Sequence, residues 1–324
     1  MTETTDGHTR SLRVRLARWI GFSIGLLLFV AAIWMALEQG ASEAWDAVQA
    51  APPLLFIAAA ACTVLTLLQT SLSFWILTLR YGRVGYGEMM ALITSAWLLN
   101  YLPMRPGLFG RVAYHKRVNN IRLRDSAIVL IWANVLSVIC AIGLGGLLVG
   151  LSLITDGGSP LLVTLTALPL PFVVAFAAYA RAKQPEPDPD VWRLIAGAAS
   201  RYAELFGWAA RYWICFAIID QPISWGGALA VASVTTVATM VPLFGNGLGM
   251  REWTVGLLAM WLPAGLALGG SPDAAVGVTA DLVNRAIEIA VAIPLGTVAA
   301  IWLVRRRQRP HAAPVDDAEV DPPV

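Results

Sequence analysis

Long apolar stretches alternate along the chain with short clusters of charge. Residues 19–37, 47–79, 126–155, 157–180, 221–250 and 253–272 carry no Asp, Glu, Lys or Arg. About 20 apolar residues in a helix cross the hydrocarbon layer of a bilayer. The pattern therefore predicts spans at about 19–37, 54–79, 126–151, 160–180 and 205–219, and a last long helix at about 272–304. Two further apolar stretches are interrupted. Residues 89–104 run into Pro103, Pro106 and Gly107, and residues 225–267 are broken by Gly245-Asn246-Gly247-Leu248-Gly249. Proline removes a helix donor and glycine loosens the backbone, so each stretch is expected to be a broken or re-entrant hairpin.

Charge placement orients these segments. Lys and Arg in short loops mark the cytoplasmic side. Arg10, Arg13, Arg15 and Arg18 precede the first run, whereas Glu38, Glu43 and Asp46 follow it with no basic residue. Arg80 and Arg83 lie before the first broken segment, and Arg111, Lys116, Arg117, Arg122 and Arg124 lie after it. Two inside signals around so short a segment imply entry and return from one side. Arg181, Lys183, Arg193 and Arg201, and then Arg305, Arg306, Arg307 and Arg309, are further inside signals, so both termini are expected in the cytoplasm. The first run exceeds the 7–15 residues of a signal peptide core and is read as a retained span.

Each half then reads span, span, broken hairpin, span. Three full crossings per half invert the second half relative to the first. The expected fold is all-α, a polytopic helical membrane protein of two inverted repeats, with about six full spans and two broken hairpins, eight hydrophobic segments in all. Residues 1–18 form a basic tail, 19–304 the membrane domain with halves at about 19–151 and 160–304, and 305–324 a Pro- and acid-rich tail expected to be disordered. The breaks share letters: Pro103 leads to Gly107-Leu108-Phe109-Gly110-Arg111, and Pro242 to Gly247-Leu248-Gly249-Met250-Arg251. Gly/Pro-interrupted segments at matching places in inverted halves point to a transport site near the midplane.

Composition agrees and excludes other classes. Of 324 residues, 57% are hydrophobic and 14% charged, against about 25% charged in soluble domains. A water-soluble enzyme, a nucleic-acid-binding domain and a disulfide-stapled secreted fold are excluded. Cys62, Cys140 and Cys215 stand singly in apolar runs, and His8, His115 and His311 form no metal-ligand spacing. No cofactor, metal or catalytic residue is expected. Trp19, Trp34, Trp45, Trp225, Trp253 and Trp302 fall near span ends, as an interfacial belt requires. Gly143, Gly145, Gly146 and Gly150 read as small-residue helix packing.

The first break, Asn100-Tyr-Leu-Pro103-Met-Arg105-Pro-Gly107-Leu-Phe-Gly-Arg111, resembles the N-x-x-P-x-R-x-G-E-x-x-R stretch of the lysylphosphatidylglycerol synthase transmembrane region family of flippase-like proteins. The second, Pro242-Leu-Phe-Gly-Asn-Gly247-Leu-Gly249-Met-Arg251-Glu252, resembles that family's P-x-x-x-G-x-G-x-x-E motif, and Arg285 matches its arginine in the final helix. The resemblance covers about residues 15–305. The family glutamate of the first motif falls on Leu108, and an arginine of the following helix falls on Asn134. The longest water-facing stretch, about 181–204, is too short for the aminoacyl-transferase domain of the name-giving synthases. The resemblance thus implies the lipid-translocating part alone. Stand-alone members are associated with anionic phospholipids, isoprenoid-linked glycans or hopanoid production.

Polar residues at membrane depth supply the candidate chemistry: Asn100, Arg105, Arg111, Asn134, Arg211, Asp220, Arg251, Glu252, Asp281, Asn284, Arg285 and Glu288. Charge there normally faces a bundle interior or wet cavity and is paired. Asp281, Arg285 and Glu288 share one helix face by their i, i+4, i+7 spacing, which leaves room for one more cation, with Arg251 the candidate. This arrangement is either an ion-pair staple or a cationic cavity for a lipid phosphate, which arginine's planar fork binds bidentately. The expected binding residues are Asn100, Arg105, Gly107, Arg111, Asn134, Gly247, Gly249, Arg251, Glu252, Asp281, Arg285 and Glu288. The basic interval 114–124 is an inside loop or a patch for anionic headgroups. The expected function is lipid translocation across a bacterial-type inner membrane, not enzymatic catalysis, with membrane lipids and no nucleic acid as partners. The alternatives are a non-transporting partner of an envelope-lipid (for example hopanoid) biosynthesis enzyme and a membrane-embedded lipid transferase.

Overall fold

The computed structural model describes residues 3–102, 106–154, 189–240, 247–261 and 273–307. Among them the chain is all-helical, with nine helices: α1 Glu3–Ala50, α2 Pro53–Thr78, α3 Tyr86–Leu99, α4 Pro106–Val118, α5 Leu123–Ile154, α6 Pro189–Ile218, α7 Trp225–Thr239, α8 Met250–Trp261 and α9 Ala274–Arg307. The expected span at 160–180 and the tail beyond residue 307 lie outside the described residues.

Among the described residues four helical stretches are long and apolar enough to cross a membrane: Trp19–Glu38, Pro53–Thr78, Leu123–Leu144 and Ala274–Arg306. Large apolar side chains stand on the outside, such as Leu54 at 71% and Leu27 at 69% exposure, while Glu252, Asp281 and Asn284 are fully buried. Such an inside-out distribution suits lipid as solvent. Many Ser and Thr hydroxyls donate to the carbonyl three or four residues back, as Thr63 does to Ala59 (2.9 Å), Ser71 to Leu67 (2.8 Å) and Ser233 to Leu229 (2.8 Å), so they carry no unsatisfied polarity into the bundle.

The elements differ from expectation in two places. The acidic stretch after the first span is not a loop, since α1 continues to Ala50 and ends before Pro52-Pro53. Residues 38–50 are rich in Ala and Glu, and lone Gly40 is too weak a breaker to stop a helix already propagating. The expected span at 205–219 is the second part of α6, a helix of 30 residues that begins at Pro189 and turns Arg201 and Arg211 inward.

Helices α3, α4, α7 and α8 have 14, 13, 15 and 12 residues. At 1.5 Å per residue they are about 18–23 Å long, short of the ~30 Å hydrocarbon layer. Each pair flanks one break and is followed by a long helix, α5 or α9. Close approach closes the first hairpin: a Cβ on Gly107 of α4 would collide with the Ala96 backbone of α3. The same device packs α8 on α9, where Gly256 and Gly277 meet, and α9 on α3, where Gly296 lies against Leu98. Gly143 instead has open space around it, so the expected packing role of that run does not extend to this glycine.

Candidate functional site

The centre of the bundle holds three arginines and three carboxylates. Arg251, on the first turn of α8, donates from Nε to Asp281 Oδ2 (2.9 Å) and from Nη1 to Glu288 Oε2 (2.7 Å). Arg211 of α6 donates from Nη2 to Glu288 Oε1 (2.5 Å) and from Nη1 to Thr63 Oγ1 of α2 (3.2 Å). Arg285 pairs with Glu252 and reaches toward the Gly247 carbonyl from Nη2 (3.5 Å). Asp281 also accepts from Tyr212 Oη (2.8 Å) and Asn284 Nδ2 (3.1 Å). All six charged side chains are at most 2% exposed. Their formal charges cancel, which the cost of isolated buried charge demands.

The pairing differs from the sequence expectation. Asp281 and Glu288 lie on the same helix as Arg285, yet their arginine partners come from α8 and α6. Arg285 takes an acid from α8 instead. Side chains three or four residues apart on a helix share a face, but a partner projecting from a neighbouring helix meets a carboxylate head-on. The shared face of α9 therefore serves as a wall that two other helices approach. Arg251 is the additional cation the charge count called for, and Arg211 is a second one that the charge count did not demand.

Both breaks reach this network. Tyr101, directly after α3, donates to Glu288 Oε2 (3.4 Å), the oxygen that also accepts from Arg251. Asn100 is half-buried at the C-cap of α3, and its Oδ1 is buried without a hydrogen-bond partner. At the second break Gly247 and Gly249 have φ of +71° and +77°, a conformation that glycine adopts at little cost. Gly249 packs directly on α1, where a Cβ would collide with the Gly25 carbonyl and Leu28. Trp253 Nε1 donates to the Leu28 carbonyl on α1 (2.9 Å). Trp253, half-buried, thus fastens the second break to α1.

Other candidates stand elsewhere. Arg111 lies with its guanidinium 4.0 Å from the Phe74 ring centroid, in a separate polar cluster with Arg201, His115 and Glu204. Asn134 is on the exposed face of α5 with Ile131, Trp132 and Val135, and does not join the network. Arg105 lies outside the described residues, as do Pro103 and Pro242. Sequence reasoning placed Arg211 at membrane depth without assigning it to the site, and it did not identify Tyr101, Tyr212, Thr63 or Trp208, whose ring lies 4.2 Å from the Arg211 guanidinium. The available signal was Arg211 itself, the sole charge of the otherwise apolar 205–219 segment.

The network is closed but not saturated. Arg285 Nη1, Arg251 Nη2, Arg211 Nε and Asn284 Oδ1 are buried without hydrogen bonds, and the contact between Arg285 Nε and Glu252 lacks hydrogen-bond alignment, which leaves both Glu252 oxygens unbonded. Arg285 and Glu252, beside the glycine turn, are therefore the least satisfied pair.

An apolar exterior, several membrane-crossing helices and a neutral ion network sealed inside define a multi-pass membrane protein. A family model, lysylphosphatidylglycerol synthase TM region, matches residues 22–296. The chain belongs to that family. Comparison with curated proteins and with solved structures finds no match.

Proposed function

We propose that the protein is a lipid flippase of the inner membrane, with Arg285 as the grip for a lipid phosphate. The observation that carries this reading is the under-bonded Arg285–Glu252 pair beside the left-handed Gly247–Gly249 turn. A phosphate offers bidentate acceptors to a guanidinium fork, so it competes directly with Glu252 for Arg285. Glu252 then acts as an internal placeholder that keeps the site neutral when no lipid is held. The repeated order of short helix, break, short helix and long helix supports two inverted halves, and the Lys and Arg clusters support cytoplasmic termini. The substrate class is an anionic or isoprenoid-type lipid: a phospholipid, a polyprenyl-phosphate-linked lipid or a hopanoid-related one. Transport requires no covalent step.

The charge balance of the network favours a second reading, an ion-pair staple in a non-transporting partner of an envelope-lipid enzyme. Reconstitution with headgroup-labelled lipids and an accessibility assay from each face separates the two. Lysine retains the charge of Arg285 but loses its planar fork. The Arg285→Lys protein is expected to insert and fold normally while moving lipid poorly. Full transport by a stably expressed Arg285→Lys protein would transfer the case to the staple.

A further inference from the structure

Away from the ion network, a buried positive charge stands at the junction of α2, α4 and α5. Arg111 is 8% exposed, and among the described residues it forms no ion pair. Arg201, 4.8 Å from the same Phe74 ring, is held by Glu204 (2.7 Å), whose other oxygen accepts from Thr70 (2.6 Å). Both guanidinium groups pack on one aromatic ring, but only Arg201 has a carboxylate, so the positive charge of Arg111 is in excess. Glu88 is occupied elsewhere, by Arg306 (3.0 Å) and Asn119 (3.1 Å).

A cavity of about 10 Å³ adjoins Arg111, with His115, Ser126 and Thr78 as its other polar walls and Met89 among its apolar ones. The Thr78 hydroxyl is spent on the Phe74 carbonyl (2.7 Å). His115 Nδ1 and Ser126 Oγ are buried and have no hydrogen-bond partner, and both residues are more than nine-tenths buried. The residues that carry the excess charge and the two unpartnered polar atoms, Arg111, His115 and Ser126, thus line a single void with room for about one water-sized sphere. A water there would satisfy the polar atoms but leave the charge uncompensated. A phosphate, sulfate or carboxylate is too large for the void. A halide is smaller than these and brings the missing charge; it is somewhat larger than a water, and flexible Met89 can yield at the wall to admit it.

We propose that this cavity binds one halide ion, with chloride as its physiological occupant. Arg111 supplies the charge, and the Ser126 hydroxyl and the His115 Nδ1–H donate to the ion. This reading is independent of lipid transport and makes Arg111 an ion ligand within the fold, not a headgroup grip.

The test uses the full chain in detergent, transferred to sodium gluconate. Equilibrium dialysis with radioactive chloride is expected to show one saturable site per chain. Titration with chloride or bromide at constant ionic strength is expected to raise the melting temperature saturably, whereas sulfate and phosphate leave it where gluconate does. Arg111→Gln should abolish both effects. Ser126→Ala, a milder change that covers the case in which Arg111→Gln does not fold, should weaken binding about tenfold through one lost charge-assisted hydrogen bond. Absence of chloride binding to the unaltered protein would overturn the proposal and leave a water as the occupant. So would unchanged chloride binding in Ser126→Ala or in folded Arg111→Gln, or equal stabilisation by sulfate, which would indicate general screening.

Discussion

Arg251 is the residue whose loss the network should tolerate least. It alone touches two of the three carboxylates, Asp281 and Glu288. In Arg251→Met, Glu288 keeps Arg211, but Asp281 keeps only the neutral donors Tyr212 and Asn284. One fully buried carboxylate is left without a cation. Removing one partner of a buried pair costs about 3–5 kcal/mol, and each 1.4 kcal/mol is about tenfold in the folding equilibrium. We expect a loss of ~4 kcal/mol, read as a shift of the unfolding midpoint in a denaturing-detergent titration followed by tryptophan fluorescence. The pairing pattern also fixes which second change rescues it. Adding Asp281→Asn removes the stranded charge and should restore most of the loss. Adding Glu288→Gln should not, because it strands Arg211 as well. A single variant that loses less than ~1 kcal/mol, or rescue by Glu288→Gln as complete as by Asp281→Asn, would refute the assignment.

The glycine contacts predict opposite outcomes at neighbouring positions: Gly107→Ala should cost ~1–3 kcal/mol or more by forcing α4 off α3, whereas Gly110→Ala, with open space around its Cβ, should be neutral or slightly stabilising in the same titration. Gly249→Ala combines a left-handed φ, worth about 1–2 kcal/mol, with a collision against α1, and should expose Trp253 to quenchers as the second break leaves α1; an unchanged quenching profile would contradict the docking described. Tyr101→Phe removes one long hydrogen bond and should change stability by less than ~1 kcal/mol. If Tyr101 links the first break to the network, the same variant should still slow lipid movement in proteoliposomes, and wild-type rates would limit Tyr101 to packing. A tag after residue 307 should be reached only from the cytoplasmic side of intact cells, and labelling from outside would refute the inverted arrangement.

Much of this protein follows from its sequence alone, because the bilayer makes local rules decisive. A backbone in hydrocarbon must bond to itself, so charge-free runs become helices wherever they fall, as in α2 and most of α5. Clustered Pro and Gly mark the interruptions after α3 and α7, so those breaks were legible too, although α9 runs on through the lone Pro294. The scarcity of charge also identified nearly every member of the ion network, since a residue that is costly in lipid is conspicuous among apolar neighbours. Spacing could not decide which acid meets which arginine. The period of α9 places Asp281, Arg285 and Glu288 on one face, but the partners arrive from two other helices, α6 and α8. The same limit applies to Arg111 and Asn134, which the letters grouped with the site. Packing put one beside Phe74 and the other on the outer surface. Helix formation is local and readable residue by residue, whereas the meeting of charges depends on how separate helices cross, and only the tertiary structure decides that.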